Sequence, residues 1–252
     1  MIRPYIPKVN LGEIARALPD KETPVTEPII TPVDIQNPES YLTVPDTNLL
    51  IAKYEPDWTK GANYKDTAVK VFEKGLKIPP PSEFMKHFLN VVNAYHNISK
   101  LYDGSGNIVQ GKELEDIYKH LTTNHINNGA WSWLNGRFVS GSGFKELDLE
   151  TIIGIDKKGD LVTHKEPLEE CIWEDCFVEL EFNRQGLAIK KSKIQKYIQG
   201  ENLKFWYPRG EEAVAGFNAD GDRAFLYCGR NPDDSSSALG VFVSAEGTPK
   251  KI

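Results

Sequence analysis

An α+β domain is the fold class this sequence predicts, and three observations predict it. Two stretches between residues 82 and 123 carry apolar side chains at helical spacing. From Trp131 onward the chain changes to short alternating segments broken by Gly, Asp and Asn. Helices followed by many short strands give the order of an α+β domain. The third observation is composition. The chain has 252 residues, 40% of them apolar and 26% charged, which suits a globular protein with a sizeable core.

The elements follow in chain order. The first 56 residues hold nine of the sixteen prolines. Proline removes a backbone donor and fixes φ, so residues 1–56 read as an extended arm. Short strands are expected over Tyr41–Val44 and Asn48–Lys53. Ile29, Ile30, Leu49, Leu50 and Ile51 give the arm something to bury, on its own core or on a neighbouring subunit. The rest, residues 57–252, reads as the main domain.

A short helix is expected over Asp66–Lys74. Pro79, Pro80 and Pro81 then stop whatever precedes them, and Ser82 is the expected N-cap of the next helix. Phe84, Phe88, Val91, Val92 and Tyr95 carry its apolar face to about Ser99. Another helix spans about Gly111 to Thr123, with Leu114, Ile117, Tyr118 and Leu121 on one side. Asp103-Gly104-Ser105-Gly106-Asn107 between them is a turn and lacks a calcium-loop pattern.

Trp131 and Trp133 alternate with Ser132 and Leu134, and Asn135-Gly136 carries a turn signal. Strands are expected over Arg137–Ser140, Thr151–Ile155, Cys176–Phe182, Gly186–Lys190, Ala213–Phe217, Ala224–Cys228 and Gly240–Val243.

Several function classes are disfavoured at once. With 30 basic against 36 acidic side chains the net charge is −6, which argues against nucleic acid as the main partner. The richest basic stretch, Lys190–Lys196 with four Lys, reads as a solvated face. No apolar run approaches the length of a membrane span. Met1–Asn10 carries Pro4 and Pro7 and no apolar core, so it does not read as a secretory signal. Cys171, Cys176 and Cys228 form no zinc motif and read as buried free thiols, one disulfide being the alternative.

Catalytic patterns are also missing. There is no phosphate loop, dinucleotide fingerprint, zinc-protease motif or nucleophile elbow. His87, His96, His120, His125 and His164 read as satisfied structural or surface residues. Trp173-Glu174-Asp175 places two carboxylates beside an aromatic, but neighbours in a strand point to opposite faces, so a polar edge is the plainer reading. Trp131, Trp133 and Trp206 suit a core or interface more readily than a sugar platform. No catalytic residue, metal ligand or cofactor is assigned.

The C-terminal composition stands apart. Residues 213–245 contain no Lys, Glu, Gln, Met or Trp, although these types fill 56 of the other 219 positions. If only the two adenines of an AAY codon are randomised, fifteen amino acids are reachable, and these five are the ones that are not. A turn-rich segment that avoids long side chains for packing is the plain alternative. Spacing adds a pattern. Gly216, Asn218 and Asp220 alternate with Phe217 and Ala219, and Phe225, Tyr227 and Gly229 alternate with Leu226 and Cys228. Period two sends one set inward and presents the other to a partner, where Tyr, Ser, Gly and Asn make adaptable contacts.

The run Phe217–Val241 resembles the C-terminal variable region of diversity-generating retroelement proteins, and is most similar to their archaeal AvpA-like branch. Its apparent fixed frame is Phe217, Ala219, Asp222-Arg223-Ala224, Leu226, Cys228, Arg230, Pro232, Ser235, Ala238 and Leu239-Gly240-Val241. The resemblance implies a C-type lectin fold, with two helices beside short antiparallel sheets and long loops. It implies a display protein whose variable segment, about 213–243, binds a protein or cell-surface ligand, and which is not an enzyme. The implied variable contacts are Gly216, Asn218, Asp220, Gly221, Phe225, Tyr227, Gly229, Asn231, Asp233, Asp234 and Ser236. Display at a surface or outside the cell would then need an export route, and oligomeric state stays open. Two features depart from the family. The Gly-Gly-Ser-Trp type strand of bacterial and phage members is missing, and so are the lectin calcium motifs, so calcium-dependent sugar binding is not implied. Two other readings remain at this point: a viral or surface-layer assembly protein joined through its Pro-rich arm, and a sugar hydrolase using Glu174 or Asp175.

Overall fold

The structure, a computed structural model, describes residues 37–123, 129–221 and 223–247. The arm upstream of residue 37, His125 and Asp222 lie outside the described residues. The fold is mixed α+β, with three helices, a seven-stranded sheet, a three-stranded sheet and a small hairpin among those residues.

Local chemistry accounts for each helix. In α1 (Tyr64–Glu73) the Asn63 side chain accepts the Asp66 N–H, and Tyr64, Thr67, Ala68 and Val71 form the buried stripe. In α2 (Pro81–Tyr95) the N-cap is Pro80 and not Ser82. Pro81 sits at the first helical position, where its missing N–H costs nothing and its fixed φ already suits the helix. Phe84, Met85, Phe88, Val91 and Val92 are its buried face. In α3 (Gly111–Thr122) Ile117, Tyr118 and Leu121 point inward, while Lys112–Asp116 and Glu115–Lys119 pair along the outer face.

The strands are β1 (Tyr41–Thr43), β2 (Leu49–Ala52), β3 (Leu101–Tyr102), β4 (Ile108–Val109), β5 (Trp131–Ser140), β6 (Leu147–Ile155), β7 (Leu161–Pro167), β8 (Cys176–Glu179), β9 (Asn202–Trp206), β10 (Val214–Asp220), β11 (Arg223–Arg230) and β12 (Ser244–Glu246). The large sheet runs β7-β6-β5-β10-β11-β9-β8. All its pairs are antiparallel except β11 with β9. The small sheet, β1-β2-β12, joins the early strands to the last one.

One turn and two strand expectations are corrected. Asn135-Gly136 makes no turn but lies inside β5. Asn135 is buried, accepts from Ile152 N–H at 2.7 Å and donates to Ile152 C=O at 2.7 Å, so tertiary bonds replace the turn. Gly136 is there for space, since a Cβ would press on Leu149 and Pro81 at 3.2 Å. Gly186–Lys190 and Gly240–Val243 are extended segments with single bridges and no ladder of their own. Gly186 has φ +81°, and a Cβ there would meet the Pro81–Ser82 backbone at 2.3 Å. Glycine is used here for close approach to the start of α2.

Two apolar clusters occupy the two faces of the sheet. Adjacent strand residues point to opposite sides, and Leu134 belongs to one cluster while Trp133 belongs to the other. On the first face α2 packs against β10, with the Phe84 and Phe88 rings tilted against Phe217 at ring separations of 4.8 and 5.4 Å. On the second face α1 and residues Leu239, Val241 and Val243 cover Trp133, Ile152 and Val214. His87 corrects the expectation of satisfied histidines. It is fully buried beside Phe84 and Phe242, and neither ring nitrogen has a hydrogen-bond partner. Burial pulls its pKa down to about 3. The three cysteines are buried and free. No helix among the described residues is long and apolar enough to cross a membrane.

Candidate functional site

The second face of the sheet is open over β11 and β9, beyond the reach of α1. Strand β11 alternates sharply. Ala224, Leu226 and Cys228 are fully buried toward α2 and α3, while Phe225, Tyr227 and Gly229 are half-buried on the other side. In β10, Ala215, Phe217 and Ala219 fill the same core.

Register builds the open face across five strands. Asn218 lies between Trp131 and Phe225, Phe225 beside Lys204, and Lys204 beside Phe177. A parallel row runs Trp133, Gly216, Tyr227 and Trp206. Residues directly opposite across a ladder share a face, so two rows of aromatic and polar side chains stand side by side. Lys204 Nζ lies 5.1 Å from the Phe177 ring, and Trp206 meets Tyr227 edge-on at 5.2 Å.

Between these rows is a cleft of about 280 Å³, lined by Trp131, Trp206, Asn218, Asp220, Phe225, Tyr227 and Arg230. Arg230 is its buried charge, 4% exposed. Its Nη2 donates to Asn218 Oδ1 at 2.6 Å, and its Nη1 reaches Asp234 Oδ2 at 3.4 Å. Its guanidinium lies 5.4 to 5.9 Å from the rings of Trp133, Tyr227 and Trp131. Burial pulls its pKa below the ordinary arginine value, while Asp234 opposes that pull. Its Nε packs over Gly216, where a Cβ would approach within 2.7 Å. A side chain at position 216 therefore has to displace Arg230.

The wall at Trp131 is held from behind. Glu55, whose side chain is 5% exposed, accepts the Trp131 N–H at 2.9 Å and bonds His120 Nε2 at 2.7 Å. A second groove of about 890 Å³ adjoins the cleft, with Lys145, Trp173, Tyr207 and Arg209 in its walls. Arg209 of this groove lies over Trp206 at 5.3 Å and Tyr207 at 5.8 Å and pairs with Asp175.

Four of the eleven sequence-derived contact residues come together in the cleft: Asn218, Asp220, Phe225 and Tyr227. Asn218 is buried under Arg230 and is not a free surface group. Gly216 lies against Arg230, and Gly229 lies against Tyr227 and Arg209. Gly221 makes the β10–β11 turn with φ +60°. Asn231 and Asp233 are exposed in the next loop, and Asp234 and Ser236 are half-buried there. The frame residues Leu239 and Val241 are fully buried, and Gly240 packs against Thr59 and Lys60.

Sequence reasoning missed Arg230 as a cleft residue and left Trp131 and Trp206 as core or interface aromatics. Arg230 was placed in the frame, and strand β9, which brings Lys204 and Trp206, was not anticipated. The alternation of Leu203, Lys204, Phe205 and Trp206 was the available signal. Glu174 and Asp175 pair with Lys191 and Arg209, and Lys190 of the basic stretch pairs with Glu179 and Glu181. No group of three or more metal-ligating side chains is assembled among the described residues. Comparison with family models, curated proteins and solved structures finds no match to this chain.

Proposed function

We propose that this chain is a ligand-binding display protein of the diversity-generating retroelement type, with a C-type-lectin-like fold, and not an enzyme. Its C-terminal segment, about 213–243, would be diversified by adenine-directed copying. Its ligand would be a protein or another component of a cell surface.

One observation carries the proposal. In β11 the frame positions Ala224, Leu226 and Cys228 are fully buried, and the slot positions Phe225, Tyr227 and Gly229 all face the open side. A fold that tolerates repeated mutation needs this separation, because buried substitutions cost several kcal/mol (about 2–5) and exposed ones about 0.5 or less. The gap in Lys, Glu, Gln, Met and Trp over residues 213–245 supports it further. The lectin-like assignment draws support from α2 and α3 on one face of the sheet and from the long irregular segments at 168–175, 180–201 and 231–243.

The experiment is to sequence the genomic neighbourhood of the gene. A near-repeat of the 3′ end with adenines at the codons for Asn218, Phe225, Tyr227 and Asn231, beside a reverse-transcriptase gene, is the expected result. A locus with neither overturns the proposal.

A further inference from the structure

The cleft carries a charge that its own protein compensates poorly. Arg230 is buried, yet its hydrogen-bond partners are a neutral amide, Asn218, and one carboxylate, Asp234, at the long distance of 3.4 Å. Its Nε has no acceptor among the described residues. A buried guanidinium normally gains close, charge-assisted bonds to offset desolvation. Here the other groups around it are aromatic rings of Trp131, Trp133 and Tyr227.

We propose that the cleft binds a carboxylate carried on an aromatic or apolar stem. The carboxylate displaces Asp234 from the Arg230 guanidinium, and the stem lies between Trp131, Trp206, Phe225 and Tyr227. A cationic guest is disfavoured because Arg230 already lies over two of the cleft's four rings, Trp131 and Tyr227, and repels like charge. Asp220 also lines the cleft, but it is exposed, and solvent screens its repulsion of an anion. Arg230 belongs to the fixed frame of the proposed family reading, on which this inference rests for its choice of face. The anion preference is then a property of the scaffold, and positions 218, 225, 227 and 234 set its strength and shape.

Benzoate, benzamide and benzylamine share a ring and differ in charge. Each is titrated into the full chain while the indole signals of Trp131 and Trp206, assigned by Trp→Phe variants, are followed by NMR. Benzoate should bind about tenfold or more tighter than benzamide, the value of one charge-assisted bond, and benzylamine should bind weakest. Asp234→Asn should strengthen benzoate severalfold and leave benzamide unchanged, because it removes the internal competitor. Arg230→Gln should abolish the difference between benzoate and benzamide. If that variant does not fold, the Asp234→Asn comparison decides alone.

A capped Phe-Glu-Phe peptide separates the two sources of such a group. Tighter binding of the peptide than of benzoate assigns a protein-borne acid. Binding of benzoate alone assigns a free small acid. Equal binding of benzoate and benzamide, or no effect of Asp234→Asn, overturns the anion site. An invariant 3′ end overturns only the diversification proposal, so the two fail separately.

Discussion

Leu226 and Phe225 are neighbours with opposite duties. Leu226 is fully buried among the residues of the α2-facing core, whereas Phe225 stands half-open over the cleft. Leu226→Ala should cost about 2–5 kcal/mol through the cavity it leaves. Phe225→Ser and Tyr227→Ser should each cost less than about 1.5 kcal/mol, since they give up ring contacts on the open face of the sheet. Urea unfolding of the three variants checks the contrast. His87 makes a second residue-scale prediction. Its folded pKa is about 3 against an ordinary value of 6.5, so the unfolded chain takes up a proton in that window and the folded chain does not. The stability is fully present above pH 6.5 and is lost as pH falls toward 3, at about 1.4 kcal/mol per pH unit. His87→Leu should remove that loss when unfolding is compared at pH 7 and pH 5. Sequence made the division within β11 legible, because small and apolar types alternate there with aromatic ones. It hid Arg230, because arginine is rarely buried and only the fold shows the aromatic rings and the bare Gly216 backbone that accommodate it.

At the scale of elements, the cleft depends on a segment far away in sequence. Residues 49–55 bring Glu55 behind β5, where it holds both the Trp131 backbone and His120 at the end of α3. Glu55→Ala should destabilise the fold by about 2–4 kcal/mol, because it leaves a buried N–H and an imidazole nitrogen without their acceptor. It should also shift the Trp131 indole signal while Trp173 stays in place, which NMR of the variant checks. Helices α2 and α3 were readable from periodicity, since each buries one stripe against the sheet. The Asn135-Gly136 pair was misread because a local turn signal was outweighed by hydrogen bonds to Ile152 seventeen residues away. Strand β9 escaped notice because its partner β11 lies parallel to it, so no hairpin turn announced the pairing.

At the scale of the whole molecule, the face proposed to vary is framed from both ends of the described chain. Strand β12 pairs with β2, and the bonds from Ala52 N–H to Val243 C=O and from Ser244 N–H to Lys77 C=O fix the segment that follows the loop after β11. Leu239, Val241 and Val243 are clamped against α1 and Trp133. The residues between β11 and this clamp are thus pinned at both ends, as the proposed diversification would require. The sequence offered Leu49–Ile51 burying on the chain's own core as one reading, but the pairing with β12 was not legible, because it joins strands almost two hundred residues apart and neither carries a signal for the other. The central claim is that variation is confined to the open face and the loop that follows it. The direct test is to sequence the gene's 3′ end from many cells of one population. Substitutions should cluster at codons such as those of Phe225, Tyr227, Asn231 and Asp233 and stay within the AAY-reachable set. The codons of Phe217, Ala219, Leu226 and Cys228 should remain constant. Variation spread evenly over both sets, or none at either, would contradict the claim.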